Sequence, residues 1–306
     1  MQVGSPRPNP NNIIRVTMFA FELEFLKWLE GLRTGFLNSL FEGITMLGEE
    51  TLIILLVVAL WFAVDKKLAQ QVFFVTATSL SVNGIVKNFA QVPRPFTKGI
   101  SCVRVDTATG YSFPSGHTQG FATWSSFFAI KLKKHWLGIL VGLLIALVAF
   151  SRLYLGAHYP SDVIVAIVLG FGLSALGNYL FTKVKDAKKL YLGAFLVLTP
   201  FALYFLCVGE PLFADLFKTL GMIGGMVAVS FLDEKTESLS YDVAWWKKLV
   251  RIVLGVALAV ALKEAMKLLN VIDVIQISLL IDAVRYFTVV MAVGYLCPLL
   301  FKKINL

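Results

Sequence analysis

A chain of 306 residues that is 58% hydrophobic and only 15% charged carries more apolar surface than one water-soluble core can hide. Most of that surface must face lipid, so the composition points to an integral membrane protein and excludes an ordinary soluble domain. The formal net charge of +9 fits Lys and Arg in cytoplasmic loops together with a site for a polyanion. Nucleic acid is not an expected partner, because no basic face with interleaved aromatics lies outside the apolar segments.

In chain order, residues 1–15 are polar and rich in Pro and Asn, without the apolar centre of a cleaved signal peptide. The stretch 19–47 carries Glu22, Glu24, Lys27, Glu30, Arg33 and Glu42, and places Phe21, Phe25, Trp28, Leu29 and Leu32 at helical spacing. That pattern predicts an amphipathic helix lying on the membrane surface or on the bundle. Apolar segments follow at 51–64, 68–90, 118–130, 136–151, 162–181, 190–208, 212–231, 249–269 and 275–301. Several are shorter than the ~20 residues that cross a bilayer, so adjoining loop residues must complete them. None shows the period-2 alternation of a barrel strand, which leaves helices. The expected fold is all-α: a polytopic membrane bundle of nine spans, or ten if 34–47 also crosses. Three segments are expected: a polar and interfacial N-terminus at 1–50, a catalytic core at 51–187 and an additional four-span bundle at 188–306.

Basic residues set the orientation. Lys66 and Lys67, Lys131, Lys133 and Lys134, and Lys183, Lys185, Lys188 and Lys189 fall on one side if the spans alternate, and the positive-inside rule makes that side cytoplasmic. The polar loops 91–113 and 152–161 then share the outer face. The three cysteines, Cys102, Cys207 and Cys297, have no metal-ligand spacing and no obvious partners. In the last four spans, Lys263 and Glu264, and Asp282 and Arg285 at i,i+3 spacing, lie within or near apolar helices. Opposite charges there are expected to pair, as structural pairing between helices or else as a wall of the substrate path.

The chemistry concentrates between residues 87 and 162. Lys87, Arg94 and Arg152 are three cations on the outer side, against the positive-inside expectation. An anion pocket accounts for them, with Arg forks matching phosphate oxygens and Lys adding a point charge. Arg94 stands between Pro93 and Pro95, which stiffen its backbone. Pro114-Ser115-Gly116-His117 opens a span, where Ser115 suits a helix N-cap and Gly116 lets an anion approach free backbone N–H groups. His158 precedes Asp162 by four residues, and a carboxylate on one ring nitrogen would fix the tautomer and leave the other to attack. Zinc is disfavoured, because the three cations would repel a divalent ion and no further carboxylate is evident.

The motifs Lys87-x6-Arg94-Pro95, Pro114-Ser115-Gly116-His117 and Ser151-Arg152-x5-His158-x3-Asp162 resemble the signature of the type-2 phosphatidic acid phosphatase superfamily. Its members include lipid phosphate phosphatases, undecaprenyl-diphosphatases, glucose-6-phosphatase, sphingosine-1-phosphate phosphatases and vanadium haloperoxidases. The resemblance implies a six-helix core and no metal ion or other cofactor. It further implies His158 as a nucleophile forming a phosphohistidine, Asp162 as its orienting partner and His117 as the acid for the leaving group. Lys87, Arg94, Ser115, Gly116 and Arg152 would hold the phosphoryl oxygens. The expected activity is hydrolysis of a phosphate monoester or pyrophosphate, with a phosphorylated lipid as substrate, on the non-cytoplasmic face. The alternatives are a sugar-phosphate phosphatase of the glucose-6-phosphatase type and a non-catalytic transporter or scaffold. The oligomeric state carries no signal in the sequence.

Overall fold

Backbone polar groups in lipid have to be satisfied within their own segment, and the apolar runs accordingly fold as helices. The computed structural model describes residues 20–105, 108–232, 239–269 and 274–306; the expectation for residues 1–15 lies outside the described residues. The helices are α1 (Ala20–Gly31), α2 (Gly35–Thr45), α3 (Glu50–Ala59, continued as a π turn over Leu60–Val64), α4 (Lys66–Ala90), α5 (Gly116–Leu132), α6 (His135–Tyr154) and α7 (Pro160–Lys183). They continue as α8 (Ala187–Val208), α9 (Ala214–Leu232), α10 (Trp245–Lys267), α11 (Ile275–Met291) and α12 (Cys297–Lys303). Among the described residues there is no strand.

Five of these segments are long and apolar enough to cross a membrane: His135–Tyr154, Pro160–Lys183, Ala187–Val208, Ala214–Leu232 and Ile275–Lys303. The pair Gly35–Gly48 and Glu50–Val64, bent by 49°, makes a sixth if it is one span. The protein is therefore an all-helical integral membrane protein. Helices also form at the three remaining expected spans, with more polar compositions. In α4 the polar residues Thr76, Ser79, Ser81, Asn83, Lys87 and Asn88 are buried, which lowers its mean hydropathy without exposing those groups to lipid.

The chain forms two compact units. The first comprises Met1–Glu49 and Val82–Ala175, and holds every residue of the three motifs. In it α5 packs on α6, and α1 and α2 pack on α6. Gly170 of α7 faces α5 so closely that an added Cβ would lie 2.7 Å from the Cβ of Ala122, and Ser174 donates to the Thr123 carbonyl at 2.5 Å. Small residues and interhelical hydrogen bonds are how helices associate where lipid supplies no hydrophobic drive. The lysines Lys131, Lys133 and Lys134 lie at the opposite ends of α5 and α6 from Gly116 and Arg152.

The predicted amphipathic stretch is two helices broken at Leu32–Thr34, where the Thr34 side chain caps α2 by accepting from Leu37 N. The apolar stripe divides between the two sides of α1. Glu22, Leu26 and Leu29 are buried, whereas Phe21, Trp28 and Leu32 are 60%, 59% and 46% exposed. The physical reason is the solvent: aromatic side chains can face an apolar or interfacial medium at no cost, so the helix is free to turn a polar residue inward.

The second unit comprises Glu50–Ser81 and Leu176–Leu306. Here α9 packs against α8 and α11, and α10 against α3 and α11. Asp282 and Arg285 pair at 2.8 Å as expected, both nearly buried. Lys263 pairs between helices, reaching Glu50 of α3 at 3.5 Å; Glu264, its immediate neighbour, points to another side of the helix.

Candidate active site

The local fold around His158 is fixed by an elbow between α6 and α7. Gly156 takes φ of +75°, and an added Cβ would stand 2.3 Å from the Ser101 carbonyl oxygen, so only glycine fits that turn. Ala157 N donates back to the Arg152 carbonyl at 3.0 Å, and Pro160 opens α7, where its missing N–H is harmless. This leaves His158 1% exposed, with Nδ1 3.2 Å from Asp162 Oδ2 and Nε2 3.1 Å from Arg94 Nη1. A guanidinium can only donate, so Nε2 is the acceptor and Nδ1 carries the proton toward Asp162. Burial, and then the charges of Arg94, Arg152 and Lys87, hold the imidazole well below the ordinary histidine range. A neutral ring with a lone pair on Nε2 is the form a nucleophile needs.

Asp162 is held as firmly as the histidine. Its Oδ2 accepts from Tyr159 N at 2.8 Å and from the Ser112 hydroxyl, as well as from His158. Ser112 was not legible as a site residue; it precedes the Pro114-Ser115-Gly116-His117 motif, with its own N–H bound to the Val92 carbonyl. Ser115 is fully buried and caps α5, its Oγ accepting from Thr118 N at 3.4 Å. Ser115 N donates to the Asp162 carbonyl at 3.1 Å, so the second and third motifs are joined through backbone.

At the first turn of α5, the Lys87 ammonium lies 3.5 Å from where a Cβ on Gly116 would be. Asn83, one turn earlier on α4, donates to Pro114 O at 3.3 Å and to Gln119 Oε1 at 2.8 Å, which ties the helix carrying Lys87 to the motif loop. His117 Nε2 is buried and has no protein partner. Behind that residue stands Gly48, in a 3-10 turn after α2: an added Cβ there would be 2.8 Å from the His117 carbonyl oxygen. The adjoining Glu49 pairs with Arg104 at 2.9 Å, fastening this turn to the loop before α5.

The two arginines are used differently. Arg94 donates through Nε to Gly110 O at 3.0 Å, through Nη1 to Ala157 O at 3.0 Å and through Nη2 to Thr109 O, besides its contact with His158. Arg152 is 0% exposed and gives Nη1 to Thr45 Oγ1 at 2.8 Å, while its Nε and Nη2 are buried with no protein partner. Buried donors without partners are rare enough to require an explanation, and an anion is what a guanidinium fork accepts. Cys102, in the loop before α5, has its thiol pushed up by burial, which disfavours the thiolate. Among the described residues no three of His, Cys, Asp and Glu are grouped as a metal ion would need.

Eight sequence-predicted residues thus fall in one unit, linked directly or through a neighbour: Lys87, Arg94, Ser115, Gly116, His117, Arg152, His158 and Asp162. Reading the sequence missed Thr45, Gly48, Asn83 and Ser112. No motif marks them, and Thr45 and Gly48 come from a helix and turn more than a hundred residues from His158.

Comparison with known proteins identifies the family. The family described as the PAP2 superfamily matches residues 68–186, and its transmembrane extension, described for a PAP2 superfamily phosphatase, matches residues 217–306. The undecaprenyl-diphosphatase BcrC of Bacillus subtilis is 30% identical over 161 residues, covering 48% of this chain and 80% of that protein. A lipid A 4'-phosphatase of Porphyromonas gingivalis is 26% identical over 228 residues, covering 70% of this chain and 92% of the relative. A crystal structure of a transmembrane PAP2-type phosphatidylglycerolphosphate phosphatase from Bacillus subtilis superposes with a TM-score of 0.48 at 26% identity, over 54% of this chain and 86% of that one.

Proposed function

We propose, because this chain belongs to the PAP2 superfamily and holds a neutral buried histidine among phosphate-matching cations, that it is a membrane phosphatase acting on a phosphorylated lipid. The observation that carries the reading is the His158 ring. Nδ1 is committed to Asp162, and Nε2 is an acceptor beside Arg94. Its substrate class is a lipid phosphate monoester or lipid diphosphate, in keeping with relatives named for undecaprenyl diphosphate and lipid A.

In the empty pocket burial, and then the charges of Arg152, Lys87 and Arg94, hold His117 below the ordinary histidine range, so it takes up its proton as the phosphate dianion enters and offsets those cations. In the first step the Nε2 lone pair attacks phosphorus, the bond to the ester or bridging oxygen breaks, and the protonated His117 gives that oxygen its proton and becomes neutral. The ring becomes an N-phosphoimidazolium stabilised by Asp162. In the second step water attacks the phosphohistidine, passes a proton to His117 and releases inorganic phosphate, restoring neutral His158. Lys87, Arg94, Arg152 and the backbone at Ser115 and Gly116 hold the equatorial oxygens, where phosphoryl transfer gathers its charge. No step calls on a metal ion.

The site belongs on the non-cytoplasmic face, at the ends of α5 and α6 away from the lysines. A bilayer-anchored substrate could present its headgroup there. We count nine spans, adding α4, α5 and α10 to the apolar helices, and divide the chain into an interfacial segment at 1–50, a catalytic core at 51–187 and a four-span addition at 188–306.

The test is phosphate release by the purified protein from prenyl diphosphates, phosphatidic acid, phosphatidylglycerol phosphate, sphingosine phosphate and glucose 6-phosphate. Release from a lipid, abolished in His158→Ala, unaffected by a strong chelator and inhibited by vanadate, is expected. Preference for glucose 6-phosphate would replace the lipid reading, and no release from any compound would favour a scaffold.

A further inference from the structure

Helix α7 carries Asp162 in its first turn, yet its start lacks the usual cap. With Tyr159 at the N-cap, Pro160 at the first helical position and Ser161 at the second, Asp162 is the third. Asp162 reaches back to Tyr159 N at 2.8 Å, which is one half of a capping box. The other half requires a side-chain oxygen at the N-cap to accept an N–H from the first turn, and tyrosine cannot supply it. Asp162 N and Val163 N return to the Tyr159 carbonyl at 3.1 and 3.4 Å. Ser161 N is left, and it donates to Glu22 Oε1 at 2.8 Å, from a helix 139 residues earlier in the chain.

Glu22 is 2% exposed, and its other oxygen, Oε2, is buried without a partner. Burying a carboxylate is costly, so a position that merely packed would be better served by an apolar residue. On the same face Leu26 and Leu29 pack with Tyr159 and Val163, which sets the height of α1 against the elbow. A negative group is also favourable at a helix N-terminus. Glu22 lies outside residues 68–186 and is invisible in the motifs.

We propose that Glu22 is a positioning residue for catalysis: it supplies the missing half of the α7 cap from another helix and so holds the elbow carrying His158 and Asp162. It touches neither substrate nor the reacting nitrogen. The reading rests on the proposed phosphatase function, since the histidine it positions is the nucleophile.

Three variants separate its reach from its charge. Glu22→Gln keeps an acceptor at the same distance, Glu22→Asp keeps the charge but draws it back by one methylene, and Glu22→Ala removes both. With sites titrated by vanadate, kcat per site is expected to stay within about threefold in Glu22→Gln. It should fall about 10- to 100-fold in Glu22→Asp and Glu22→Ala, the scale of small misplacements near a reacting centre. KM and vanadate affinity should change less than about threefold, because the anion-holding groups are untouched. Leu279→Ala, at a buried position of the second unit, should lower thermal stability without changing kcat per site. Hydrogen exchange at the Ser161 amide reads the cap without turnover, and should be faster in Glu22→Asp and Glu22→Ala than in Glu22→Gln. Unchanged kcat per site in Glu22→Ala, or Asp outperforming Gln, would overturn the proposal. An inactive wild type alone would sink the phosphatase reading, and equal Ser161 exchange in all variants would then also remove the cap.

Discussion

Replacing Gly48 by alanine tests the assignment of His117 as the acid. The added Cβ would lie 2.8 Å from the His117 carbonyl oxygen, 3.0 Å from its Cβ and 3.2 Å from its carbonyl carbon. Nonbonded carbon atoms prefer about 3.5–4.0 Å, so one partner has to move by roughly 0.5–1 Å. Gly48 sits in the turn fastened by Glu49 and Arg104, and His117 sits in the first turn of α5 over the Ser115 cap, so neither side yields freely. Overpacking of this kind costs about 1–3 kcal/mol, divided between stability and displacement of the histidine. A shift near 1 Å at a reacting group can cost about 100-fold in rate. The loss should depend on the leaving group. A lipid alkoxide needs the His117 proton, whereas p-nitrophenolate leaves without one, so Gly48→Ala should reduce kcat about 10- to 100-fold on the lipid and less than about fivefold on p-nitrophenyl phosphate. Equal losses on both substrates, or none on either, would refute the argument.

The remaining predictions concern charge. Because the folded His158 has a depressed pKa and the unfolded residue titrates near 6.5, the unfolded state binds the extra proton first. Stability is therefore intact above about pH 6.5 and should decline below it by up to about 1.4 kcal/mol per pH unit from this group; an acid limb of kcat/KM rising near or above 6.5 would contradict the neutral nucleophile. Arg152→Lys retains the charge but loses the fork, and should reduce kcat about 100-fold in the phosphate-release assay. In the second unit, Asp282→Ala leaves Arg285 buried and unpaired and should destabilise by about 3–5 kcal/mol in a thermal melt, with Asp282→Ala/Arg285→Met recovering much of the loss.

The sequence made the helices and the motif residues legible for different reasons. Helices could be read because lipid imposes one backbone solution, and His158 with Asp162 because their spacing is local. The sequence left open whether α1 lies on the membrane surface or on the bundle, since an aromatic stripe is at home on either; Phe21 and Trp28 face outward and Glu22 inward. That Lys263 pairs between helices was legible, but its partner Glu50, more than two hundred residues earlier, was not. Thr45, Gly48 and Ser112 act through tertiary proximity to Arg152, His117 and Asp162, and a threonine, glycine or serine in an apolar chain has no pattern that reveals such proximity.

The two motif arginines have the same charge and are expected from sequence to do the same work, yet their hydrogen bonds divide the labour. Arg94 is anchored by three backbone carbonyls, so its guanidinium is oriented before any anion arrives and its contact with His158 Nε2 sets the tautomer. Arg152 has one fixed bond, to Thr45, and two buried donors left unmatched. Preorganised donors stabilise developing charge without reorganising, but only those not already satisfied gain a partner when the phosphoryl group enters. Under the proposed mechanism the larger share of phosphate affinity would therefore belong to Arg152, and the larger share of nucleophile alignment to Arg94. Substituting Arg152 should weaken vanadate more than it disturbs the His158 tautomer, and substituting Arg94 should do the reverse.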